Sequence, residues 1–121
     1  MEDLRAQQIE ALEVLCDYNE RLVKGIHDII GELEGERLED TDKFLENIIN
    51  GINWEINVLN GTMALINEKE ERIRKEEMNE GIQELSKALG GKDDKEMAAA
   101  LTKALPIFED LGKAAKETLE R

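Results

Sequence analysis

Apolar residues recur along this chain at alternating spacings of three and four, the period of helices that bury one stripe and leave the rest to water. In the first such run Leu12, Leu15, Leu22, Ile26, Ile29 and Leu33 form the stripe. Ile9, Cys16, Val23 and Ile30 widen it on one side, predicting a helix over residues 3–33. Asn19 falls on the stripe between Leu15 and Leu22. A buried amide there fixes register when it finds a partner, at some loss of stability, whereas a partly exposed polar residue is the plainer reading. The segment EGERLEDTD at 34–42 then carries Gly35 and two candidate caps, Thr41 and Asp42, so the chain is expected to turn.

A second run starts near Asp42. Leu45, Ile49, Ile52, Ile56, Leu59, Met63, Ile66 and Ile73 keep one seam in register, and Phe44, Gly51, Trp54, Val58, Gly61 and Leu65 form a second apolar strip beside it. The remaining face carries Asn50, Asn53, Asn57 and Asn60, polar but uncharged. Between Asn47 and Asn67 the only charged residue is Glu55, in a chain that is 37% charged. Such a stretch is too polar to span a bilayer and too apolar to face only water, so this helix is expected to be covered on most of its sides.

From Glu68 to Glu80 charge takes over, with mixed signs at helical spacing that suit a solvated helix. Met78, Ile82, Leu85 and Leu89 then space as a helix face, rotated away from the Ile66 and Ile73 seam. Two readings fit this. Either the second helix ends at 67 and a third covers 69–89, or the second continues to 75 and beyond while offering different faces to different neighbours. No glycine or proline marks a turn between them. Gly90 and Gly91 end the segment, and Asp93 with Glu96 resembles a capping box for a last helix over 94–120. There Met97, Leu101, Ala104, Phe108, Leu111 and Ala115 form the buried seam, with Leu105 and Leu119 beside it. Pro106, in the interior of that helix, predicts a kink.

Composition supports an all-α, single-domain antiparallel bundle of three to four helices. The chain has 121 residues, only 3% aromatics and one proline, and it is long enough to bury a core without metal or disulfide support. A net charge of −13 opposes nucleic acid and anionic membranes, both of which would repel it, and leaves a protein as the expected partner. With a lone Cys16, no basic-apolar leader in MEDLRAQQIE and no membrane-length apolar run, a cytoplasmic location is expected.

Candidate chemistry changes this picture little. His27 is the single histidine and falls beside the first stripe, toward solvent, with no carboxylate one turn away to orient it. Cys16 reads as a small hydrophobe, and Ser86, the single serine, has no histidine placed beside it. Paired acids do occur, as Glu10 with Glu13, Glu39 with Asp42, Glu68 with Glu71 and Glu77 with Glu80. In a chain this rich in glutamate such pairs arise by chance, and no glycine-rich or basic phosphate cradle accompanies them. The expected protein is therefore a non-enzymatic helical interaction protein, adaptor-like or chaperone-like, with no cofactor and no metal. It would form a homodimer or bind a partner helix through its second helix. The expected interface comprises Asn50, Gly51, Asn53, Trp54, Asn57, Val58, Asn60, Gly61 and Leu65. Asparagine is a poor interior helix former, and its repetition there calls for a compensating contact that amides can make without the desolvation penalty of charge. Two alternatives stand beside this: a metal-dependent all-α phosphohydrolase using paired carboxylates, and an acidic inhibitor or immunity-type protein for a basic target.

Overall fold

The computed structural model describes residues 2–120, with side chains described from residue 3. Among these residues there are four helices, α1 (Glu2–Glu34), α2 (Thr41–Ile66), α3 (Lys75–Gly91) and α4 (Asp94–Leu119). Helix α1 lies between α2 and α4 and packs along both, α2 meets α4 only lightly, and α3 rests on α4. The contacts run antiparallel. On one side of α1, Gln8 meets Gly61 and Asn19 meets Glu55; on the other, Asn19 meets Phe108 and Arg37 meets Asp94. The core is thus a three-helix junction of α1, α2 and α4, with α3 as an outrigger.

The stripes explain the packing. On α1, Leu12, Leu15, Leu22, Ile26, Ile29 and Leu33 are buried as expected, and all six seam residues of α4 are buried too. Fully burying one such Leu, Ile or Phe side chain contributes roughly 1.5–3 kcal/mol, and these positions dominate the core. Helix α2 departs from its expected seam. Leu45, Ile52, Leu59 and Ile66 are buried, but Ile49, Ile56 and Met63 are only half-buried, and Ile48, Glu55 and Thr62 are buried in their place, along with Gly51 and Leu65. The helix is rotated because it serves α1 and α4 together, and the inward face then falls on the phase that contains its one acid.

Helix α2 ends at Ile66 and does not continue into the charged segment, and α3 begins at Lys75, not 69. A side chain makes this turn. Asn67 accepts the backbone N–H groups of Arg72 and Ile73 on Oδ1, both at 2.9 Å, and donates Nδ2 to the Ile73 carbonyl at 3.0 Å. These bonds clamp a six-residue loop without glycine or proline. Ile73 is buried from that linker and not from a helix. Arg72 fixes the linker to α4 through two 2.9 Å bonds to Asp110 and further contacts with Glu117.

Other junctions are also tied by side chains. Thr41 is not the expected cap of α2. It lies inside the helix, buried, accepts the Leu38 N–H at 2.7 Å and donates to Glu32 at 2.8 Å, stapling the first turn back onto α1. Arg37 in the same loop bonds Asp42 and makes two 2.7 Å bonds to Asp94 at the start of α4. Asp93 caps α4 as expected, accepting the Glu96 N–H at 3.0 Å. At the end of α3 the left-handed position belongs to Lys92, with φ 58°, and not to either glycine before it. Pro106 sits on the exposed side of α4, and the helix runs on to Leu119.

Candidate interaction face

Two contacts stack at one level between α1 and α2. Tyr18 and Asn19 are consecutive on α1, Trp54 and Glu55 are consecutive on α2, and successive helical residues diverge by about 100°. The outer pair, Tyr18 and Trp54, meets edge to face with ring centroids 5.5 Å apart. The inner pair is polar. Asn19 donates one amide hydrogen to Glu55 Oε1 at 3.0 Å and the other to the Phe108 carbonyl of α4 at 3.0 Å, so one side chain bridges all three core helices. Glu55 is completely buried, and its Oε2 has no hydrogen-bond partner. Burial pushes its carboxyl up to about 7, against the opposing pull of the Asn19 hydrogen bond.

Glycines make this level possible. A β-carbon at Gly51 would collide with the Tyr18 hydroxyl, and one at Gly112 on α4 would collide with the Asn19 amide. Both positions are close approaches of side chain to backbone that any larger residue would block.

Outside this level, α1 and α2 border a groove of about 520 Å³ lined by Val14, Asp17, Tyr18, Arg21, Asn47, Asn50, Gly51 and Trp54. Among the described residues, three of the four large exposed hydrophobics lie on these two helices: Leu4 is 61% exposed, Val14 49% and Trp54 37%. On α1, Leu4, Gln7, Ala11, Val14 and Tyr18 recur at spacings of three and four without a charge. On α2, Asn47, Asn50, Trp54, Asn57, Gly61 and Ala64 do the same. Charge enters the groove only at Asp17 and Arg21, and Arg21 also stands 5.8 Å from the Tyr18 ring.

The expected site residues separate into two groups. Asn50, Asn53, Trp54, Asn57, Asn60 and Gly61 are exposed on one side of α2, and Val58 is half-buried. Gly51 and Leu65 are buried within the chain. Gly51 is filled by Tyr18, and Leu65 belongs to the core between the helices. Gly61 offers open space but is tied to α1 through its carbonyl, which accepts Gln8 Nε2 at 3.0 Å. The α1 half of the groove, Val14, Tyr18 and Arg21, is not among the expected residues; its signal in the sequence is Leu4 and Val14, apolar residues off the buried stripe. Glu55 is not among the expected core groups either, although it lies seven residues from both Ile48 and Thr62 and so shares their face.

In three of the acid pairs one member is engaged in an ion pair. Asp42 bonds Arg37, Glu68 bonds Arg5 at 3.0 Å, and Glu77 bonds Arg74 at 3.3 Å. Among the described residues no three His, Cys, Asp or Glu side chains gather into a metal-binding group, and His27 and Ser86 are both exposed. No described helix is long and apolar enough to cross a membrane.

No curated protein and no solved structure matches the chain. One family does: the sequence pattern described as Domain of unknown function (DUF8042) matches residues 10–114, a span that holds the Tyr18–Trp54 and Asn19–Glu55 pairs, the groove and most of all four helices. The chain belongs to the DUF8042 family.

Proposed function

We propose that this protein is a non-enzymatic helical interaction protein, and that the partner on its α1/α2 face is a second copy of itself. The observation that carries this reading is the nearly uncharged face, with Val14 and Trp54 exposed on it, on a chain of net charge −13. Two such chains repel each other over most of their surfaces, and here they can meet without apposing like charges. A two-fold contact also requires a surface complementary to itself. Amides both donate and accept, so Asn50 and Asn57 satisfy identical groups across the axis in a way that carboxylates or lysines do not. At the rim, Asp17 and Arg21 have opposite signs, and a two-fold axis can bring each against the other in the second copy. Trp54 and Val14 supply the apolar anchors that such contacts use. The resulting assembly is a four-helix arrangement made of two α1/α2 hairpins.

Sedimentation equilibrium or light scattering tests this. Wild type is expected at twice its chain mass of 13.7 kDa, and Trp54→Glu, Val14→Glu and Asn57→Glu are expected as monomers with unchanged helical circular dichroism. A wild-type chain that stays monomeric up to millimolar concentration rules the proposal out. So do folded charge variants that keep the wild-type mass.

A further inference from the structure

Glu55 is the one fully buried ionisable side chain among the described residues, and it receives a single neutral hydrogen bond. The donor that reaches it is shared, since the other amide hydrogen of Asn19 is held by the Phe108 carbonyl. From α1, the ionisable groups that feel the charge of Glu55 are the Tyr18 hydroxyl and the Cys16 thiol. Both are pushed up chiefly by burial; at Tyr18 the negative charge of Glu55 adds to the rise and Arg21 opposes it, while at Cys16 Asp17 adds to it, Lys116 opposes it and Glu55 adds least. From α4 the junction receives a backbone carbonyl and Gly112. The charged side chains of α4 nearby, Glu109, Lys113 and Lys116, instead line a groove that Asn19 shares with Asp17 and Glu20. Nothing in this surrounding neutralises a carboxylate, and an ionised oxygen without a partner in a dry interior is far more costly than a neutral acid.

We propose that Glu55 is a proton-operated switch. The neutral acid is the form in which the α1, α2 and α4 junction closes, and release of the proton to water loosens α2 and shifts the Tyr18–Trp54 contact beside it. Geometry selects both the moving part and the reporter. Helix α2 is held mainly by α1 and only lightly by α4, so it is the core helix that can yield. Trp54 is the neighbour of Glu55 along the helix and stands edge-on to Tyr18, which in turn is seated on Gly51 one turn away. A displacement at Glu55 therefore reaches the α1/α2 groove through residues that already touch. This requires no second copy, so it stands or falls apart from self-docking.

The test follows two probes in one titration of the full chain. Carbon-13 labelling of glutamate side chains reports each carboxyl by NMR, and the single tryptophan reports its surroundings by fluorescence. One carboxyl is expected to titrate at about 7, and Trp54 emission is expected to shift with the same midpoint. Both signals should persist in His27→Gln and on dilution of the chain, and both should vanish in Glu55→Gln. Titration of Glu55 together with the other glutamates overturns the proposal, and so does Trp54 emission that stays flat through the Glu55 transition. Should Glu55→Gln fail to fold, coincidence of the two midpoints in the wild-type chain supports the switch and their separation refutes it.

Discussion

Asn19 and Glu55 show how a single residue pair can be half visible in a sequence. Each breaks an apolar stripe, and Asn19 was recognisable as an amide that fixes register if partnered. Its partner was hidden because Glu55 lies one position from the seam that the isoleucines Ile49 and Ile56 suggest, and only packing against the neighbouring helices decides which phase is inward. The pairing has a pH consequence. Glu55 is raised from an ordinary 4.5 to about 7 in the folded chain, so the folded state holds the proton more tightly than the unfolded state. Its contribution to stability is therefore full below about pH 4.5, falls as pH rises toward 7, and is absent above that. At about 1.4 kcal/mol per unit, the loss is on the order of 3 kcal/mol. General charge repulsion also grows with pH in so acidic a chain, so the informative quantity is the difference between two proteins. Denaturant melts at about pH 5 and pH 8 should show Glu55→Gln gaining on wild type by up to that amount at the higher pH, with little difference at the lower.

At the scale of elements, the helices were predictable and their joints were not. The stripes of α1 and α4 read correctly because leucine and isoleucine repeat without interruption, and the Asp93 cap read correctly because its signal is local. The end of α2 was ambiguous between two readings. Asn67, which makes the turn, is one of six asparagines between positions 47 and 67, and nothing nearby distinguishes it from those that face water. Its three hydrogen bonds form only when the chain returns over it, and Arg72 holds that return against Asp110 and Glu117 of α4. Asn67→Ala is expected to destabilise the protein by about 2 kcal/mol, since it leaves the half-buried Arg72 and Ile73 amides short of an acceptor. Hydrogen exchange at those two amides should accelerate more than exchange elsewhere. The end of α3 departs from expectation in a similar way. Lys92 adopts the left-handed conformation although Gly91 precedes it, because α3 extends through both glycines before the chain turns into α4.

Over the whole molecule the four helices are unequal. Only Leu85 of α3 is buried, and α3 leans on α4 alone, whereas α1, α2 and α4 share the large core. Helix α3 should therefore open below the global unfolding free energy, and native-state hydrogen exchange should find its amides less protected than those at the centres of α1 and α4. Equal protection across all four helices would contradict this division. The same inequality bears on function, because α2 and α1 are left with an outer side that α3 does not cover. The sequence by itself determined that the chain is all-helical, where most of the helices lie and which residues of α1 and α4 form the core, since helical period and capping are local properties. It also singled out the stretch of α2 whose only charge is Glu55, and Trp54 within it. Tertiary structure alone decided which face of α2 turns inward, that Gly51 and Leu65 are covered, that Val14 and Tyr18 complete the groove and that Glu55 meets Asn19. Each of these depends on which helix lies across the gap, and a periodic pattern along one helix carries no record of its neighbour.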